Sequence, residues 1–421
     1  MKSSLRRLTS RIVQLASGEI LARLCGIATL LLLARQSGVV MVGIYALAQS
    51  MIQYSYPFID FGLRHVGARL VAKHPEADRE IVKEVQRRRM LMGASILPFL
   101  LLYTALANVS MEFKIFLFLF SAISCLYAVS LEWAAWGKEH LTFVGLARIV
   151  VPGCVLLFLL LGKGRNILWF LIAGNVVGYG LQGLLFFVWW RRSRSASGYQ
   201  GVSLDVVRDS LAWNKTSIMG LAWLCNLAFN TIDMLMLGVM SNAQQVGLYS
   251  AAYRIMNQIL FTYYLLTQVL YPQLARQTIE ERRRFLRPDI LLPLLAIGTV
   301  LASALAFSRH IVLAIVFGPK FLSAAFLLFL LSWVIPLDFM TSYVSNAYIA
   351  WGMEKKVLLC TFIAAGANVI LNLIWIPKHG ASAAAVNTLI SYVILLSCLA
   401  LAGRFARELH RPPEVEVVAQ I

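Results

Sequence analysis

"VGIYALAQSMIQY", residues 42–54, and "VGLYSAAYRIMNQ", residues 246–258, are two versions of one phrase, each opening a run of apolar residues long enough to cross a bilayer. About 20 such residues make one crossing. Working outward from the two copies divides the chain into about twelve spans, at approximately 12–34, 39–61, 90–109, 114–136, 142–162, 166–190, 213–237, 245–271, 289–308, 321–350, 355–376 and 380–403. The first copy opens the second span and the second opens the eighth. The interval of six spans is even, so both copies point the same way through the membrane. That is the signature of parallel repeats related by an axis along the membrane normal, an arrangement of transporters whose substrate site lies where the repeats meet. The expected fold is therefore all-α and polytopic, with two pseudo-symmetric six-helix lobes at 1–196 and 197–421.

Composition agrees. Of 421 residues 59% are hydrophobic and only 14% charged, and the mean hydropathy is +0.73; a water-soluble globule of this size needs a more charged surface. No stretch outside the spans is long enough for a separate soluble domain. The first apolar run is too long for a cleaved leader and lacks a small-residue cleavage site, so it reads as a retained helix. The net charge of +18 comes from loops such as "EVQRRR" (84–89), "WWRRSRS" (189–195) and "EERRRFLR" (280–287). Placing the N-terminus inside puts most of the 38 Lys and Arg on the cytoplasmic side, as the positive-inside rule requires, and puts both ends there too. Topology and anionic lipid account for this charge without nucleic acid. In "HPEADREIVKEV" (74–85) Pro75 marks a place where a short amphipathic helix can start on the inner face. The polar stretch 191–210 suits a linker between the halves.

Polar residues inside spans carry the functional signal, because each is costly in hydrocarbon unless it faces water or a partner. On the seventh span Trp223, Asn226, Asn230 and Asp233 recur every three or four residues; on the eighth, Ser250, Arg254, Asn257 and Phe261 do so, with Gln258 and Gln268 nearby. The second span offers Tyr45, Gln49, Gln53, Tyr56 and Asp60, the tenth Asp338, Ser342 and Ser345, and the eleventh Thr361, Asn368 and Asn372. Glu19 and Arg23 are spaced i, i+4 on the first span, which suits either an intrahelical ion pair or a pair lining a cavity. Arg148 and Arg254 have no opposite charge one turn away. Their partners must come from another helix or from a ligand, and Asp233 is the candidate within the chain for Arg254. Asp60 and Glu132 fall near cytoplasmic span ends, where solvated placement is expected. Pro57, Pro98, Pro152, Pro272, Pro293 and Pro336 lie in or beside spans and can bend them.

Catalytic signatures are missing: no P-loop, His-Glu-x-x-His or Gly-x-Ser-x-Gly occurs. The six histidines are dispersed, and the six cysteines sit inside the spans at no metal or redox spacing. Neither a metal centre nor a cofactor is expected, and the chain reads as a transporter rather than an enzyme.

Three stretches resemble bacterial polysaccharide exporters. "FNTIDMLMLGVMSNAQQVGLYSAAYRIMNQ" (229–258) is similar to their seventh-to-eighth helix segment, "FIDFGLRHVGARLVAK" (58–73) to their second-span exit, and "IVFGPKFLSAA" (315–325) to the start of their tenth span. The match runs in order along most of the chain. It resembles a lipid-linked oligosaccharide flippase, of O-antigen or exopolysaccharide type, within the multidrug/oligosaccharidyl-lipid/polysaccharide exporter superfamily; several relatives have fourteen spans rather than twelve.

The resemblance implies a V of two lobes around a central cavity, alternating access, and residence in the bacterial cytoplasmic (inner) membrane. It also implies an undecaprenyl-pyrophosphate-linked oligosaccharide as cargo, bound by Arg23, Arg148 and Arg254 among the polar side chains of Asn226, Asn230, Asn257, Gln49, Gln53, Asn368 and Asn372. Asp233, Glu19 and Asp338 are the candidates for a switch or for a coupling ion, H+ or Na+. Other partners expected are membrane lipids and a polysaccharide polymerase of the same pathway. The alternatives are a cation-coupled multidrug exporter of the same superfamily and a membrane polysaccharide polymerase or ligase; the latter class usually carries a large extracytoplasmic loop, which is lacking here.

Overall fold

The computed structural model describes residues 2–162, 166–193, 207, 209, 211–275 and 288–409, with side chains at 18–162, 166–193, 207, 209, 211–212, 216–217, 220–264 and 290–403. The expected junction at 196/197, most of the 191–210 linker and the basic run 280–287 lie outside these residues, as do the side chains of Gln268 and Pro272. Every regular element among the described residues is helical.

The order is α1 (Lys2–Asp60), α2 (Leu63–Lys73), α3 (Asp78–Ser95), α4 (Leu97–Leu106), α5 (Met111–Ala122), α6 (Ser124–Val129), α7 (Glu132–Gly137), α8 (Leu141–Gly162) and α9 (Ile167–Ser193). There follow α10 (Trp213–Met240), α11 (Ala243–Ala275), α12 (Pro288–Val316), α13 (Ala325–Ser332), α14 (Val334–Ala350), α15 (Glu354–His379) and α16 (Ala381–Leu409), with short 3-10 turns at Pro75–Ala77 and Pro319–Ala324.

Ten segments among the described residues are long and apolar enough to cross a membrane. One of them, Gly18–Asp60, runs to 43 residues, twice what a crossing needs. Gly38 divides it: φ 76° and ψ −168° leave helical space, a conformation that glycine alone adopts without steric cost. With that division, and with the 33-residue α11, the expected spans all have helical counterparts. The chain is an all-α polytopic membrane protein.

Other expected spans are interrupted for local reasons. Pro98 sits in the first turn of α4, where its missing N–H is harmless, so the third span enters as α3 and continues as α4. The expected tenth span is divided at Trp333 into α13 and α14. The segment expected to be a separate surface helix from Pro75 is different: Pro75 opens only a 3-10 turn, and the residues after it belong to α3, which runs on to Ser95. The short helix in this stretch is instead α2, reached through a tight turn in which Phe61 and Gly62 both have positive φ.

The chain forms two compact units. One comprises Met1–Leu227, Met234–Ser250 and Val316–Lys320; the other, Ala228–Asp233, Ala251–Ile315 and Phe321–Ile421. In the first unit α2 packs on α7 through two glycines. A Cβ on Gly67 would strike the Trp133 ring, and one on Gly137 would strike the Ala68 backbone. Trp133, Ile81, Val85, Phe186 and Trp190 fill the core beneath them.

The Val-Gly-x-Tyr that opens each copy also falls within the first unit, and there the two openings touch. A Cβ on Gly43 would overlap the Ala243 carbonyl, and one on Gly247 the Val39 carbonyl. Val42 and Val246 are both fully buried, and Tyr45 and Tyr249 nearly so. The shared Val-Gly-x-Tyr is thus a reciprocal close approach of two helix starts, which needs a residue without a side chain at the same place in each copy.

Candidate functional site

In the first unit α1 and α8 meet at glycine against glycine. A Cβ on Gly18 would collide with the backbone of Gly145, so the axes come closer than larger residues permit. One residue beyond Gly18 is Glu19, and one turn beyond Gly145 is Arg148.

The close crossing assembles a four-membered charged cluster. Glu19 Oε1 lies 3.4 Å from Arg23 Nε and Glu19 Oε2 lies 3.3 Å from Arg148 Nη1. Arg148 donates from Nε (3.0 Å) and Nη2 (2.7 Å) to Glu132 Oε1, from the start of α7. The side chains of Glu19, Arg23 and Arg148 remain about one-third exposed, at 34, 33 and 32%, whereas Glu132 is at 16%. The intrahelical ion pair expected from the Glu19–Arg23 spacing is present, and Glu19 also reaches the interhelical Arg148. Glu132, expected to be solvated, is instead largely enclosed as an Arg148 partner. On α1 the Tyr56 hydroxyl pairs with that of Tyr179 on α9, Gln49 donates to the Tyr45 hydroxyl at 2.9 Å, and Gln53 is exposed.

Asp60 is the second correction. It is fully buried and forms an ion pair at 3.0 Å with Arg89, whose side chain is 2% exposed. Arg89 also donates to the carbonyls of Ser130 (2.6 Å) and Tyr127 (3.1 Å) and stacks on the Tyr127 ring. The "QRRR" run reads as a solvated loop only if the third span begins at residue 90. The extra turns of α3 carry Arg89 inward instead. Nearby, Arg64 lies over the Trp136 ring. His65, on α2 outside the spans, has its pKa lowered by burial and then by the Arg64 charge, with Asp60 opposing. Lys138 holds Asp78 and donates to the Ser193 carbonyl at 2.6 Å.

The second unit contains a buried polar cluster centred on Asp233. Asp233, Asn368, Asn372 and Asn387 are all fully buried. Asn372 donates to Asp233 Oδ1 at 2.5 Å and to Asn368 Oδ1 at 2.8 Å; Asn387 donates to Asn372 Oδ1 at 2.9 Å. The Thr388 hydroxyl lies 3.1 Å from Asp233 Oδ2 and 2.8 Å from the Ala384 carbonyl. Asn368 and Asn372, expected among the cargo-facing residues, are thus enclosed in this structure and attend Asp233.

The rest of the expected stripe on α10 divides by depth. Asn226 is exposed and Asn230 half-buried. Tyr253 donates to the Asn230 carbonyl at 2.7 Å and Tyr392 to its side chain at 3.4 Å. Asp338 accepts from Ser342 at 3.3 Å. Arg254 and Asn257 are half-buried on α11. Asn387 and Thr388 were missed by sequence reasoning; the signal that could have found them is a pair of adjacent polar residues in the apolar run of α16.

Comparison with known proteins places this geometry. The family model described as polysaccharide biosynthesis protein matches residues 8–278. No curated protein matches. Among solved structures the fold is similar to a lipid II flippase MurJ in an inward closed conformation (TM-score 0.71, 15% identity, covering 93% of this chain and 87% of that one). It is similar also to an inward-facing MATE multidrug transporter of the MOP superfamily (0.69, 12%, 95% and 100%) and to a point mutant of the Vibrio cholerae MATE transporter VcmN (0.62, 11%, 97% and 99%). At such identities the likeness is one of fold. The chain therefore belongs to the polysaccharide biosynthesis protein family and has the fold of the MOP-superfamily transporters.

Proposed function

We propose that this protein is a flippase. It moves an undecaprenyl-pyrophosphate-linked oligosaccharide repeat unit from the cytoplasmic to the outer leaflet of the bacterial cytoplasmic membrane by alternating access, with both termini cytoplasmic. The observation that carries this reading is the pair of partly exposed arginines, Arg23 and Arg148, set among spans of a polysaccharide biosynthesis protein. Sugars and a diphosphate dragged through hydrocarbon lose hydrogen bonds worth several kcal/mol each. Guanidinium groups replace water around the phosphate oxygens, two donors to an anion, and neutralise its charge. Arg254 is assigned to the same grip, and Asn226, Asn230, Asn257, Gln49 and Gln53 to the sugars, while the polyprenyl chain stays in lipid. No covalent bond is made or broken.

Two sources of direction fit. An anion leaving an inside-negative cell moves downhill by about 2.3 kcal/mol per charge per 100 mV. Asp233 is the proposed coupling site: a carboxylate ringed by amide and hydroxyl groups suits a proton or a Na+ ion, a hard cation that prefers oxygen donors. Asp338 is its lesser counterpart. Product repeat units would pass to a polymerase.

Deletion in the native host tests the cargo. Loss of surface polysaccharide with lipid-linked repeat units accumulating on the inner leaflet is expected. Unchanged polysaccharide with increased drug sensitivity would instead establish the multidrug-exporter alternative. In vesicles, Asp233→Asn is expected to abolish the dependence of transport on the H+ or Na+ gradient; transport equal to wild type at every gradient and pH would remove Asp233 from coupling.

A further inference from the structure

We infer that Glu19 is a built-in rival of the cargo phosphate: it occupies the Arg23/Arg148 pair when cargo is absent, yields to a diphosphate, and keeps out lipids with a single negative charge. This rests on the reading of Arg23 and Arg148 as the diphosphate grip.

Three features of the cluster point there. The first is that one carboxylate already bridges both guanidinium groups, one oxygen to each, at 3.4 and 3.3 Å. An anionic group therefore sits where a bridging phosphate would sit. The second is that Arg148 is held unequally. Glu132 takes two of its nitrogens at 2.7 and 3.0 Å and is 16% exposed, whereas Glu19 takes one at 3.3 Å and is 34% exposed. Glu132 is the anchor that fixes the orientation of Arg148, and Glu19 is the contact that can be exchanged. The third is charge. The formal charges of Glu19, Glu132, Arg23 and Arg148 sum to zero, so the two carboxylates offset the attraction of the two guanidinium groups for an arbitrary anion.

Exchange follows from these facts. A monoanionic phosphodiester headgroup replaces Glu19 with an equal charge and gains nothing. A diphosphate brings more charge and more acceptor oxygens, enough for two-donor contacts to both forks. Glu19 then makes binding selective by subtraction. It also solves release, since the arginines are not left bare in a membrane when the cargo leaves.

The test uses the purified full chain in nanodiscs, with farnesyl diphosphate as probe and phosphatidylglycerol as the monoanionic competitor. In phosphatidylcholine discs Glu19→Gln is expected to bind the probe up to about fivefold tighter than wild type, the scale of one partly exposed ion pair. Replacing half of the lipid by phosphatidylglycerol should weaken the variant's binding several-fold and wild type's little. Structural damage does not tighten binding. If Glu19→Gln does not fold, Glu19→Asp, which retracts the carboxylate by one methylene, should tighten binding in the same sense by about twofold to threefold.

Equal or weaker binding by folded Glu19→Gln, while Arg148→Ala loses the probe, overturns this inference alone. If wild type and Arg148→Ala bind the probe equally, or wild type does not bind it, the diphosphate grip falls and Glu19's role falls with it.

Discussion

At the scale of single residues, the buried ions matter most. Asp60 and Arg89 neutralise each other where neither meets water. Asp60→Leu or Arg89→Met alone strands the other charge and is expected to lower stability by about 3–5 kcal/mol. The double variant should recover most of that loss, because an apolar pair needs no desolvation. Thermal unfolding of the detergent-purified chain, run as a double-mutant cycle, measures both. His65 gives a pH signature. Its folded pKa lies below the unfolded value of about 6.5, so the unfolded chain binds the proton more readily. Stability should therefore fall as pH drops through about 6.5 and hold above it. Unfolding temperatures at about pH 7.5 and about pH 5.5 should differ less in His65→Gln than in wild type. Much of this scale was legible: Glu19, Arg23, Arg148 and Asp233 stand out because ionised groups are rare in spans. The partners were not. Glu132 is 16 residues from Arg148 and Arg89 is 29 from Asp60, and no periodicity links residues on different helices.

At the scale of elements, glycines decide which helices touch. Gly18 brings α1 onto α8 with no space to spare, whereas Gly26, two turns on, has no neighbouring atom within 4 Å of where a Cβ would be. Gly18→Leu is expected to separate the helices, break the Glu19–Arg148 contact and reduce transport severely. Gly26→Ala should leave transport intact and raise stability slightly, by up to about 1 kcal/mol, through helix propensity. A vesicle transport assay with parallel unfolding curves checks both. The same reasoning explains the repeated phrase. Each copy puts its glycine at a backbone contact, so Gly247→Val is expected to destabilise, while Gly238, which meets flexible ends of Leu47 and Tyr103, is more forgiving of alanine. Span positions could be read from hydropathy because a helix in lipid must be apolar along its length. Breaks such as those at Gly38 and Trp333 depend on dihedral angles, and only the first coincides with a residue type that announces itself.

At the scale of the molecule, the proposed cycle carries a multiply charged cargo across the field. Collapsing the membrane potential should slow outward flipping, and the steepness of that dependence should report the net charge moved. Arg148→Ala should reduce cargo binding at every potential, and Asp233→Asn should change only the response to the ion gradient. Measuring flipping in vesicles at set potentials with and without a pH or Na+ gradient separates these effects. The separation is physical: Arg148 is partly exposed and belongs to the first unit, while Asp233 is enclosed in the second.

From residue order alone came the membrane class, the approximate positions of the apolar spans, the duplicated phrase and the short set of charges that had to have a purpose. These are local consequences of hydration: apolar length and charge density are properties of contiguous segments. The tertiary structure decided which charges neutralise one another, that Asn368 and Asn372 are buried in one hydrogen-bonded chain with Asp233, and that one glutamate spans two arginines. Pairing across helices depends on where backbones are close enough to touch, and that is settled only when the helices pack.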